Sequence, residues 1–152
     1  MTDTLKQVIV MRTDLNMRKG KMISQGSHAS MKVFFDLMRP VAYHHSDESL
    51  QMLEYVFDIY QGPKRPGTEP VLDRREMASW KEGAFTKAVV RGDSEEHILD
   101  LLEQAIDAGL PNALITDSGK TEFNGVPTKT CIAIGPGKAS VIDKITGNLK
   151  LL

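Results

Sequence analysis

Lys21, Gln25 and His28 stand at i, i+4 and i+7 in the run KGKMISQGSHASMKV, so a helix over this stretch carries all three on one face. At ~1.5 Å of rise per residue that face extends about 10 Å. It offers a fixed cation, an amide and an imidazole, and Arg12, Arg18 and Lys19 cluster at its entrance, where free backbone N–H groups favour anions. Such a face suits a phosphate-bearing ligand, and an imidazole with the ordinary pKa of about 6.5 can move a proton near neutrality. The same residues also describe an ordinary solvated helix face with a half-buried histidine, and type and spacing alone leave both readings open.

A second cluster lies in TDSGKT, where Asp117 closes an apolar run and Gly119, Lys120 and Thr121 copy the tail of a phosphate-binding P-loop. The remainder of that motif is missing. It needs a glycine five residues before Gly119, where Leu114 stands, and a helix directly afterwards, where the turn-rich FNGVP follows. The adjacent His44 and His45 have no Cys or His partner at metal-ligand spacing, so a solvated loop accounts for them. No nucleophile-elbow sequence supports a Ser-His-Asp triad.

The elements that must position these groups can be read from periodicity. Val8 to Met11 is a short apolar run of the kind found in strands covered on both faces. The helix from Lys19 carries Met22, Gly26, Ala29 and Val33 as its inner stripe and is broken at Pro40. A second helix is expected from a Ser46 or Asp47 cap, with Leu50, Leu53, Phe57 and Tyr60 as its stripe, followed by the Gly- and Pro-rich loop QGPKRPGTEP. A further helix is expected from Val71 to about Lys81, and a strand from Ala84 to Arg91. Asp93 or Ser94 caps the clearest helix, with Ile98, Leu101, Leu102, Ala105 and Ile106 inside and Gly109 at its end. NALITD reads as a third strand, TKTCIAIGP as a fourth, and Lys138 to Thr146 as a last helix ending at Gly147. Alternating strands and helices imply an α/β fold of three layers. Its mixed four-stranded sheet is mostly parallel with one antiparallel strand, the fourth, because the connection from the third is too short for a crossover helix. Ligands of such sheets gather beyond the carboxyl ends of the parallel strands, where both polar clusters fall.

At 152 residues the chain fits one domain with a self-sufficient core. The single cysteine, Cys131, lies in an apolar run and reads as a small buried hydrophobe in a reducing compartment. MTDTLKQ lacks the pattern of a signal peptide, and no apolar stretch approaches membrane-spanning length, so a cytoplasmic protein with no membrane partner is expected. The net charge of -1 conceals a division: residues 1–39 carry seven basic and three acidic side chains, and residues 118–152 carry five and two. The acidic excess lies in the middle. If the two ends meet, they form one positive face able to bind nucleic acid.

The run VIVMRTDLNMRKGKMISQGSHASM resembles the opening motif of the type 2 peptidyl-tRNA hydrolases, the archaeal and eukaryotic type. In that family a strand, an R-[TN]-D-L loop, a K-G-K entrance and a Q-x-S-H-A helix follow one another. LITDSGKTE, TKTCIAIGP and IDKITGNLKLL resemble its remaining motifs in the right order, so the likeness spans most of residues 6–38 and 78–152. It implies one hydrolase domain over 1–152, in which an acidic helical insertion at about 40–75 enlarges a connection that is shorter in the family.

The activity implied is hydrolysis of the ester between a peptide's terminal carbonyl and the 3' ribose of tRNA, without a metal or cofactor, bound chiefly at the acceptor end. By resemblance Lys21, His28, Asp117, Thr121 and Thr130 are the catalytic group. Arg12, Arg18, Lys19, Gln25 and Lys120 are then substrate contacts. His28 would be the base, with Asp117 holding its tautomer or sharing the role, and Lys21 would keep Asp117 ionised. Lys120 stands where arginine is usual, and a Thr121 to Thr130 loop one residue longer than the family's leaves open whether Thr130 reaches the site. A homodimer is left open. The alternative is a catalytically silent tRNA-binding or protein-interaction relative.

Overall fold

The computed structural model of the chain describes residues 3–44, 51–57 and 74–152. Its central sheet holds β1 (Leu5–Arg12), β4 (Lys87–Gly92), β5 (Asn112–Asp117) and β6 (Thr128–Lys138) in the order β4-β1-β6-β5. β1 pairs parallel with β4, and β6 runs antiparallel to both β1 and β5. Three strands therefore share a direction and the fourth of the sheet opposes them, as the short connection demands. Because β6 lies between β1 and β5, only the β1–β4 ladder is a parallel pairing.

Alternation along the strands sorts the core into two halves. Ile9, Met11, Ala113, Ile115, Cys131 and Ala133 pack on one face with Ala29, Val33 and Leu37 of α1 (Lys19–Leu37) and Met77 of α2 (Arg74–Glu82). Val8, Val10, Ile132 and Ile134 pack on the other with Ile98, Leu101 and Ala105 of α3 (Glu95–Asp107) and Ile142 and Ile145 of α4 (Ala139–Thr146). This is the expected three-layer arrangement, with a strand run at Val8–Met11 buried on both sides. The Ser94 side chain caps α3 by accepting from the His97 N–H at 3.1 Å.

Two boundaries differ from expectation. α1 gives way at Leu37 to β2 (Met38–His44), which pairs antiparallel with β3 (Gln51–Phe57) in a separate two-stranded sheet. The helix expected across Leu53 and Phe57 is thus a strand over 51–57. Its aromatic and branched Tyr55, Val56 and Phe57 suit a pleated ladder, and seven residues are too few to separate the two periodicities. The rest of that expected helix, and residues 71–73 of the next, lie outside the described residues. β4 begins at Lys87 rather than Ala84, because Phe85 sits in the left-handed region at φ 51° and turns the chain.

The carboxyl ends of β1 and β5 lie at the same end of the sheet, so the loop that enters α1 and the turn after Asp117 are brought side by side. No described helix is long and apolar enough to cross a membrane.

Candidate active site

Lys21 belongs to the first turn of α1 and Asp117 is the last residue of β5, and their side chains meet across the end of the sheet. The Lys21 ammonium donates to Asp117 Oδ1 at 2.7 Å and to Thr121 Oγ1 at 2.9 Å. Each of the paired side chains is 12% exposed, so the pair is sheltered yet reachable from solvent. An ammonium has three N–H bonds, and these contacts leave one for a ligand. The Phe123 ring lies 5.8 Å from the same nitrogen, close enough for a weak cation–π attraction.

Asp117 is bound on both oxygens. Oδ1 also accepts from Gln25 Nε2 at 3.1 Å, and Oδ2 accepts from the backbone N–H of Gly119 at 2.9 Å. The Lys21 hydrogen bond, chiefly, holds its carboxyl below the usual carboxylate range, with the Gly119 N–H and Gln25 adding to the effect against partial burial. Gly119 can serve because its φ is +80° and its backbone lies against Val126, where a Cβ would come within 2.4 Å of the Val126 carbonyl oxygen.

Beneath this pair lies a buried support. Gln25, 2% exposed, accepts on Oε1 from the Thr130 hydroxyl at 2.5 Å, and Thr130 is itself completely buried. The amide is thereby oriented with its NH₂ toward Asp117. A β-bulge makes this contact. Ile115 pairs with Cys131 and Thr116 with Lys129, so Thr130 is an extra residue on β6. Thr130 and Cys131, neighbours that a regular strand would aim at opposite faces, both turn to α1, where the Cys131 thiol donates to the Gln25 carbonyl at 3.3 Å. Burial pushes that thiol up to about 12, far from a reactive thiolate. Lys129 turns the other way and meets Glu95 of α3 at 2.9 Å.

The remaining expected residues divide. Thr121 is exposed beside Lys21, and Arg18, Lys19 and Lys120 are exposed on the α1 entrance and the TDSGKT turn; Arg18, 79% exposed, pairs with Glu122 at 2.8 Å. Arg12 is not among the groups that meet at Asp117. It is buried, clasps Asp14 with two bonds of 2.6 and 3.0 Å, reaches Glu95 at 3.2 Å and donates to the Lys129 carbonyl at 2.8 Å. Its guanidinium braces the loop after β1 against α3 and β6 instead. Thr130 likewise faces Gln25 rather than solvent.

His28 is exposed, and its Nε2 lies 3.3 Å from Ser24 Oγ. Among the described residues no hydrogen bond joins it to Asp117, whose partners are Lys21, Gln25 and Gly119. The spacing aligned His28 with Lys21 around the helix but set it two turns further along the axis. Three contributors were not anticipated. Gly119 could have been found as the flexible point of a turn, whereas Glu122 and Phe123 carry no signal in the sequence, Phe123 sitting in the left-handed region at φ 66°.

The α/β layer fold thus brings together a sheltered lysine–carboxylate pair, buttressed from below and flanked by exposed cations, a set of groups chemically suited to a charged, oxygen-rich ligand. A family model described as peptidyl-tRNA hydrolase PTH2 matches residues 5–152. The chain is 36% identical over 148 residues to the peptidyl-tRNA hydrolase of Methanocaldococcus jannaschii, covering 97% of this chain and 100% of that protein. It is 35% identical over 147 residues to that of Sulfurisphaera tokodaii, covering 97% and 98%. To that of Halobacterium salinarum it is 34% identical over 148 residues, covering 97% and 99%. The chain belongs to the peptidyl-tRNA hydrolase PTH2 family.

Proposed function

We propose that the protein hydrolyses peptidyl-tRNA in the cytoplasm, cleaving the ester between the peptide's terminal carbonyl and the tRNA 3' ribose. The observation that carries this reading is the 2.7 Å contact of Lys21 with Asp117, sheltered yet reachable from solvent. The ester is already activated, so the protein needs to place a water, accept its proton and stabilise the charge that develops on the carbonyl oxygen. The reading calls on no metal or cofactor.

Asp117 Oδ2, which has one protein partner, takes the water and receives its proton as the hydroxyl adds to the carbonyl carbon. Collapse of the adduct breaks the bond to the ribose oxygen, which takes that proton, leaving a free peptide carboxyl group and a 3'-hydroxyl. The third N–H of Lys21 donates to the oxyanion, and Thr121, whose oxygen accepts from Lys21, offers its own O–H to the substrate. A carboxyl held low is a weak base, so the main contribution of Asp117 is to orient the water and balance Lys21. Gln25 and Thr130 position Asp117, while Arg18, Lys19 and Lys120 meet phosphates of the acceptor end. His28, which makes no hydrogen bond to Asp117, is given no role in these steps.

Incubation with an N-acetylated aminoacyl-tRNA tests the proposal: deacylated tRNA and the free N-acetyl amino acid should accumulate. Binding without cleavage would favour the silent relative instead. Lys21→Ala should lower kcat by about 10²–10³, the usual cost of one oxyanion donor, with the thermal midpoint little changed.

A further inference from the structure

The solvent face of α1 carries more than its first turn needs. Lys21, Ser24, His28, Met31 and Phe35 follow one another at spacings of three, four, three and four, and at 3.6 residues per turn they fall within about 80° of one another. This stripe begins at the reactive ammonium and runs along the helix away from the cationic entrance. Met31 is 55% exposed and Phe35 57%, although both are large and apolar. They do not belong to the face that packs on the sheet, which is Gln25, Gly26, Ala29, Val33 and Leu37.

Along this axis the order is Arg18 and Lys19, then Lys21 against Asp117, then His28, Met31 and Phe35. The substrate class is bipolar in the same sense. On one side of its ester is a polyanion, and on the other a peptide whose side chains are in large part apolar. We infer that the peptide of the substrate lies along α1 over His28, Met31 and Phe35, while the tRNA leaves the site across the cationic entrance. Reversing the orientation would set phosphates on apolar side chains and leave the cations unmatched. At ~1.5 Å per residue Met31 is about 15 Å along the helix from Lys21 and Phe35 about 21 Å. An extended peptide at ~3.5 Å per residue reaches them with its fifth and sixth residues from the ester. The inference rests on the proposed hydrolysis and adds that the enzyme measures peptide length.

The test compares N-acetyl-leucyl-tRNA with a hexaleucyl-tRNA of the same tRNA. Wild-type protein should have the lower KM for the longer substrate. The double variant Met31→Gln/Phe35→Gln keeps helix-compatible side chains at exposed positions and should raise the ratio of the long-substrate to the short-substrate KM about tenfold. Ile23→Gln, also exposed on α1 but off the stripe, should leave that ratio at its wild-type value. An unchanged ratio in the double variant overturns the inference, whether both substrates are unaffected or both weaken alike. An unchanged ratio accompanied by a fall in molecular mass in solution gives the stripe to a second copy of the chain. Failure of the wild-type protein to cleave either substrate overturns the proposed hydrolysis itself, a result distinct from cleavage of both at one KM.

Discussion

The chemistry turns on which group takes the water's proton, and the partners of Asp117 make that question measurable. Because Lys21 holds the Asp117 carboxyl low, its charged form persists to lower pH than that of a free aspartate, whose pKa is about 3.9. With Asp117 as base, kcat should therefore be level from neutrality down to about pH 5 and fall only once the pH passes below the ordinary carboxylate range. The pH dependence of kcat for wild-type protein and His28→Ala tests this: a limb between neutrality and pH 5 that the substitution abolishes would return the proton to His28. The site was partly legible at this scale. Lys21, Gln25, Asp117 and Thr121 were marked by type and motif and do converge. The separation of His28 from Asp117 was not, because helical spacing reports angle around the axis more clearly than distance along it.

Among the elements, β6 shapes the site most, since its bulge delivers Thr130 to Gln25. Thr130→Val conserves shape but removes the donor, leaving the buried Gln25 Oε1 without its partner at a cost of about 1–3 kcal/mol. The amide is then free to turn, and Asp117 loses a defined contact. We expect kcat to fall roughly tenfold with KM nearly constant, since no substrate contact is lost, and Thr130→Ser to restore much of the rate. Steady-state kinetics of the two variants check this; equal losses in both would mean that packing, not the hydroxyl, matters. The strand itself was readable: β5 coincides with the NALITD run, and the apolar core of β6 with Cys131–Ile134. The bulge was not, because one extra residue changes no local preference and only shows against the partner strand. The β2–β3 pairing escaped for a related reason, since Gln51–Phe57 satisfies a helical stripe and a strand equally until Met38–His44 lies beside it.

For the molecule as a whole, the near-neutral net charge is less informative than where the charges are committed. Arg12, for all its position in the opening motif, is neutralised by Asp14, whose carboxyl it holds below the usual range, and by Glu95, held low chiefly by Lys129 with Arg12 adding to the effect. Lys19 and Lys120 remain exposed beside the site. Each should contribute about one phosphate contact, so Lys19→Ala or Lys120→Ala should weaken tRNA binding and flatten the slope of log affinity against log salt by about 0.7–0.9. Binding titrations from 50 to 200 mM salt measure it. Arg12→Ala should leave that slope untouched and lower the thermal midpoint, because it unties the loop after β1 from α3 and β6. From sequence the ends of the chain could be counted as basic. Which cations stay available could not, since two of the partners of Arg12, Glu95 and Lys129, lie 83 and 117 residues away.

Thr130 is the member of β6 that no rung of the ladder requires. Without it the Ile115–Cys131 and Thr116–Lys129 pairs become consecutive, and Lys129 keeps its place opposite Glu95. A chain one residue shorter would thus knit a smoother sheet and set Gln25 adrift. Selection for sturdiness alone would drive the molecule toward that tidier version, and its hold on the ester would be the casualty.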